Sequence, residues 1–180
     1  FHSLIRIQPD ATVSVTETIK VWGTGNIINH GIYRDFPTDY KDHIGTRYRV
    51  GFKVLSVERD GAPEAYHLAR RPNGVRVYMG NRETSVSHGE HTYTLSYTTN
   101  RQIGFFEKFD ELYWNVTGNG WDLPIYEATA IFELPAGATL LSTDGYTGPY
   151  GSKAKNFSVA QDFFGRPVFQ TTAPLSVREG

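Results

Sequence analysis

A chain of 180 residues with 39% hydrophobic and 14% aromatic side chains carries enough apolar surface for a packed core, which argues against wholesale disorder. Its 18 Lys and Arg against 19 Asp and Glu leave a net charge of −1, so no basic excess exists to condense on phosphates, and general nucleic-acid binding is set aside. The absence of cysteine removes disulfides, thiolate metal sites and cysteine nucleophiles together.

Eleven Tyr and eleven Phe against one Met suit pleated surfaces better than helix bundles, and 18 Gly with nine Pro imply many turns. No apolar run approaches the ~20 residues that a membrane-spanning helix needs. The chain opens at Phe1 rather than Met, which is expected of a processed or excised piece whose signal or anchor lies elsewhere.

In chain order, Leu4 and Ile5 predict an opening strand that turns back at Pro9-Asp10. From Thr12 to Val21 the alternation is nearly strict, with Val13, Val15, Ile19 and Val21 on one face and Thr12, Ser14, Thr16, Thr18 and Lys20 on the other. Arg47 to Val57 places Tyr48, Val50, Phe52 and Val54 together, then changes parity to Leu55 and Val57, as a β-bulge would. Asn73-Gly74 predicts a hairpin between Tyr66–Leu68 and Val75–Met79. Thr92 to Thr98 alternates again, with Tyr93, Leu95 and Tyr97 inward.

Further strands are expected at 112–116, 125–134, 139–142, 156–160 and 167–171. Phe105, Phe109 and Leu112 fall at helical spacing, but the stretch lacks a cap and supports one turn at most. The whole pattern predicts one all-β domain over residues 1–180, an antiparallel β-sandwich of about ten short strands with little or no helix.

Two constellations stand out. In Asn29-His-Gly-Ile-Tyr-Arg-Asp-Phe-Pro37, Arg34 and Asp35 are adjacent, so on a strand they face opposite sides and each needs a partner elsewhere. A half-buried Arg34 must meet a carboxylate or several carbonyls, as an internal ion pair or as a contact to an anion or sugar. In Leu112 to Ile125, Trp114 and Trp121 bracket Gly118-Asn119-Gly120, so a hairpin would bring both rings onto one surface beside Asn115 and Asp122. That combination suits a sugar or peptide site, and equally a core anchor.

Other signals are thin. The histidines (His2, His30, His43, His67, His88 and His91) lack a ligand spacing, although His88 and His91 flank a turn. Asp110, Glu111 and Asp122 do not form a calcium loop. Nucleophile elbows, Walker glycines and dinucleotide fingerprints are absent. Asn115-Val-Thr and Asn156-Phe-Ser match the glycosylation pattern by chance.

Read together, Pro9-Asp10 with Glu17 in the Val13–Val21 strand, His30-Gly-Ile-Tyr-Arg-Asp-Phe-Pro37, Gly89-Glu-His-Thr-Tyr93, Leu112-Tyr-Trp-Asn-Val-Thr-Gly118 with Trp121 and Pro124-Ile125, Leu134-Pro135 and Leu175–Gly180 resemble a known family. It is the bacterial predicted membrane proteins that carry domain of unknown function 2207. The resemblance implies an N-terminal anchor or signal, a β domain outside the cytoplasmic membrane, transmembrane helices elsewhere in the protein, and one more strand after Gly180.

The expected function is therefore a non-enzymatic, extracytoplasmic binding or interaction module without cofactor or metal. Its partners would be its own transmembrane segments and an envelope glycan, peptide or protein, with no nucleic acid. The candidate ligand site joins Tyr33, Arg34, Asp35, Trp114, Asn115, Trp121 and Asp122. An envelope glycan hydrolase using Asp and Glu, or a purely structural assembly domain, are the alternatives.

Overall fold

The computed structural model describes residues 1–25, 28–41 and 45–180, so His43 lies outside the described residues. The period-two pattern resolves into fifteen strands among them and no helix. These are β1 (His2–Ile7), β2 (Val13–Gly23), β3 (Ile32–Pro37), β4 (Asp39–Lys41), β5 (Arg47–Arg49), β6 (Phe52–Arg59), β7 (Ala62–Pro63) and β8 (Tyr66–Arg71). They continue with β9 (Gly74–Met79), β10 (Gly89–Thr99), β11 (Ile103–Phe105), β12 (Asp110–Leu112), β13 (Thr129–Glu133), β14 (Phe157–Gln161) and β15 (Pro167–Thr171). The count exceeds the expected ten because Arg47–Arg49 separates from Phe52–Arg59 and several two- or three-residue strands form at turns. The chain divides into two compact units, Phe1–Val15 with Gln102–Gly180, and Thr16–Arg101.

In the first unit the strand order is β14-β15-β13-β1. The β14–β15 and β13–β15 pairs are antiparallel, but β1 runs parallel to β13, from His2 opposite Thr129 to Arg6 opposite Glu133. A parallel pair needs a long connection, and here more than a hundred residues supply it. After β1 the chain turns back as expected: Gln8 N donates to Thr12 O at 2.8 Å and Thr12 N to the Asp10 carboxylate at 2.9 Å. Ile5, Trp121, Ile125, Ala128, Ala130 and Leu175 are among its buried residues.

The segment with helical spacing is instead the β11–β12 hairpin, closed by Phe106 N donating to Phe109 O at 3.0 Å. Its phenylalanines are exposed, so their spacing reflects a turn with aromatic flanks rather than a helix stripe. Residues 113–116 and 139–142, expected as strands, carry none.

In the second unit β2, β10, β6 and β7 are neighbours in that order, while β3, β9 and β8 form a separate sheet and β4 pairs with β5. The Pro72-Asn73 hairpin joins β8 and β9, with Arg71 opposite Gly74. The bulge is also present: Ser96 faces Ser56 and Tyr97 faces Val54, so Leu55 is the extra residue. Leu55 is 55% exposed, whereas Val54 and Val57 stay buried on either side of it. Inward alternation of Tyr93, Leu95 and Tyr97 along β10 is complete.

The two larger sheets of this unit meet through aromatic rings. Phe36 of β3 lies 4.6 Å from Phe52 and 4.7 Å from Tyr97, centroid to centroid. Gly31 precedes β3 at φ 128°, where a Cβ would fall 1.9 Å from the Met79 carbonyl oxygen. Only glycine permits that approach of the two chains.

Candidate functional site

Strand β3 sends Arg34 and its neighbours to opposite sides, as adjacent strand residues must go. Arg34 faces inward and is 4% exposed. Its Nε donates to Glu17 Oε2 at 2.6 Å and its Nη2 to Oε1 at 2.7 Å, a two-pronged pair with a carboxylate of zero exposure. Tyr97 adds its hydroxyl to Glu17 Oε1 at 3.1 Å. Burial works against the Arg34 charge, but the adjoining Glu17 carboxylate outweighs it and the guanidinium titrates above its ordinary range. Burial, then the Glu17 charge, raises the Tyr97 phenol well above its usual value and keeps it neutral.

Tyr33 and Asp35 take the outward side. Cross-strand register sets Tyr33 opposite Tyr78 and His67 beyond it, and sets Asp35 opposite Arg76. The Asp35 carboxylate accepts from Arg76 Nε and Nη2, both at 2.6 Å. The guanidinium lies 3.7 Å over the Tyr33 ring, and His67 stacks on Tyr78 at 4.6 Å with planes 12° apart. The Asp35 hydrogen bonds hold Arg76 charged far above physiological pH. A shallow hollow lined by His30, Tyr33, His67, Tyr78 and Arg82 opens beside this row.

The remaining expected site residues belong to the first unit. Trp121 is 8% exposed, donates from Nε1 to Thr117 O at 2.9 Å, and meets the Phe1 ring edge-on at 6.3 Å. Asn115 is exposed and accepts from Gly118 N at 2.9 Å, closing a turn. Asp122 is paired with Arg178. Trp114 is half-buried, and its Nε1 is sealed without a hydrogen-bond partner. No hairpin forms around Gly118-Asn119-Gly120, because neither flank of the turn is a strand.

One set escaped the sequence reading. His91 Nδ1 lies 2.7 Å from Asp60 Oδ2, and its Nε2 lies 3.2 Å from the Ser87 hydroxyl. The outline resembles a Ser-His-Asp relay. However, Nε2 also sits 2.9 Å from the Ser87 carbonyl oxygen, which only accepts. A ring that donates from Nε2 to that carbonyl and from Nδ1 to the Asp60 carboxylate is an imidazolium, the form that both contacts favour. That is an imidazolium latch, with no lone pair to deprotonate the serine. His88, its neighbour at the turn, packs edge-on to Trp22 at 5.9 Å.

The latch has a pH consequence. The Asp60 hydrogen bond, then the Ser87 carbonyl, raises the His91 pKa above 6.5. The His91 hydrogen bond, then Thr92 N–H, lowers that of Asp60. Stability from His91 is thus complete below the unfolded value and lost as pH rises through the raised folded one; the Asp60 share is lost in acid. An NMR titration of the His91 ring should give a midpoint above 6.5, and Asp60→Asn should lower it. An unshifted midpoint in the parent protein would remove the latch.

A family model described as the N-terminal domain of predicted membrane proteins (DUF2207) matches residues 1–176. The chain is similar to the uncharacterized protein YciQ of Escherichia coli (strain K12), 28% identical over 158 residues that make up 87% of this chain and 25% of YciQ. It therefore spans about a quarter of the length of that curated relative. Among solved structures, native leukotriene A4 hydrolase from Saccharomyces cerevisiae aligns over 98% of this chain and 27% of its own, at 13% identity and a TM-score of 0.47. The bestatin complex of the yeast enzyme aligns over 99% and 27%, at 11% identity and 0.42.

Proposed function

The chain belongs to the DUF2207 family of predicted membrane proteins, matching its N-terminal domain, and from that premise we propose that it is a non-enzymatic binding module on the extracytoplasmic face of a bacterial membrane. The observation that carries the proposal is the outward row of β3 and β9. Arg34 is consumed by Glu17, while Tyr33, Asp35, Arg76, Tyr78 and His67 form a preassembled polar-aromatic surface beside a hollow.

The chemistry of that row favours a hydroxyl-rich ligand. Asp35 already neutralises Arg76, so the row offers ring faces and hydrogen-bonding edges rather than a bare charge. A sugar ring of an envelope glycan stacks on such faces and bonds to such edges. The row needs nothing from Trp114, Asn115, Trp121 or Asp122. The non-enzymatic reading is supported by His91, whose imidazolium is committed to Asp60 and the Ser87 carbonyl.

The test is saturation-transfer NMR on the full-length protein in nanodiscs, with N-acetylglucosamine oligomers and peptidoglycan fragments as probes. Transfer to the sugar protons is expected. Tyr33→Ala or Tyr78→Ala should weaken binding about tenfold, the size of one stacked aromatic contact of ~1.4 kcal/mol. No transfer at millimolar probe, or equal transfer in both variants, rejects the surface. The domain contains no cysteine, so its sidedness is checked by Tyr150→Cys, at a position 96% exposed. An impermeant maleimide should label that variant in intact spheroplasts.

A further inference from the structure

We propose that the tip of the β14–β15 hairpin, Phe163-Phe164, is a lipid-interface anchor that seats two aromatic rings at the headgroup boundary of a bilayer. Phe163 is 97% exposed and Phe164 76%, with ring centroids 5.4 Å apart and nearly perpendicular planes. Phenylalanines offered this fully to water mark an interaction surface. They stand in the turn that joins β14 to β15, the end of the hairpin that a lipid surface would meet.

The tip is built to hold them there. Asp162 Oδ1 accepts from Phe164 N at 2.9 Å and Arg166 N at 3.0 Å, while its Oδ2 accepts from Arg166 Nε at 2.7 Å. Backbone bonds between Asp162 and Arg166 and between Gly165 and Asp162 close the loop, with Gly165 at φ 76°. Arg166 reaches over the Phe164 ring at 5.2 Å. A loop fixed in this way loses little conformational entropy when its rings are buried.

Charge selects lipid as the occupant. Arg166 is paired with Asp162 and lies 3.6 Å from Glu133, which Arg6 also neutralises. Two guanidiniums and two carboxylates cancel in this cluster, so Arg166 beside the Phe164 ring carries no unpaired charge toward the low-dielectric phase. The β11–β12 hairpin also exposes Phe105, Phe106 and Phe109, but it carries Glu107, Asp110 and Glu111 against Lys108. That excess of negative charge opposes an anionic membrane surface. Membership of a family of predicted membrane proteins makes a bilayer a surface available to the full-length protein. Two rings give weak affinity alone, so the anchor orients a domain that is already tethered.

The experiment uses the full-length protein in phosphatidylcholine liposomes doped with a diazirine-bearing phosphatidylcholine, with cross-links mapped by mass spectrometry. Lipid adducts are expected on the peptide containing Phe163 and Phe164, together with protection from hydroxyl-radical labelling. In the Phe163→Ser/Phe164→Ser variant those adducts should fall at least about tenfold, the size of one fully buried aromatic side chain, while adducts on the membrane segments persist. A tip labelled by radicals as strongly as in detergent, without lipid adducts, overturns the proposal. Protection without lipid adducts overturns it too, since a protein or second copy then covers the rings. Neither readout depends on the glycan row of the other unit, so the two proposals fail separately.

Discussion

Removing either partner of the Glu17–Arg34 pair is expected to cost about 3–5 kcal/mol, because the survivor is left as an uncompensated buried charge. Glu17→Gln leaves the guanidinium facing a neutral amide and weakens the acceptor of the Tyr97 hydroxyl at the same time. Arg34→Met leaves the buried Glu17 carboxylate facing the Tyr97 hydroxyl without its charged partner. Urea unfolding should show a lower midpoint with an unchanged slope in both variants. The double variant Glu17→Leu/Arg34→Met should recover much of the loss, since apolar replacement of a whole buried pair is often neutral or better. A loss under about 1 kcal/mol in both single variants would mean that the pair behaves like a surface bridge. Against a total stability of roughly 5–15 kcal/mol, the expected loss is large.

Trp121→Ala should destabilise by about 3–5 kcal/mol, the usual cost of deleting a buried tryptophan. It removes the bond to the Thr117 carbonyl and the edge contact with Phe1 along with the apolar area. Trp121→Phe keeps most of the ring area and should lose only about 1 kcal/mol for the hydrogen bond. Trp114→Phe is the contrasting case. The Nε1 it deletes is buried without an acceptor, so removing that desolvated donor offsets lost area. Thermal melts of the three variants should rank them in that order, and a Trp121→Ala melt equal to the parent would sink the core assignment.

These two expectations also show what the sequence discloses. Opposite-facing Arg34 and Asp35 follow from adjacency on a strand, and so does the need of each for a partner. The Arg34 partner was within sight: Glu17 shares the parity of Val13, Val15 and Ile19, and a carboxylate in that row must be met from the facing sheet. The Leu55 bulge and the Pro72-Asn73 hairpin were legible because parity and turn chemistry are local. The β1–β13 pairing was not, since register between residues 127 apart leaves no local trace. Nor was the His91 latch, because the β6–β7 turn delivers Asp60 from a distant strand. The tryptophan segment misled for a related reason: Gly118-Asn119-Gly120 has hairpin chemistry without strands to connect.

The parallel β1–β13 pair also sets a schedule for biogenesis. Arg6 and Glu133 are 127 residues apart, so at ~5–20 residues per second β1 is made roughly 6–25 s before its parallel partner β13 exists. During that interval the nascent chain presents an open β edge, the kind that seeks pairing with other chains. Hairpins such as β8–β9 close on themselves as they emerge, but the β13 side of β1 waits until residues 129–133 have been made. A ribosome or translocon that stalls in this window leaves a sticky half-sheet, and guarding it is work for a chaperone.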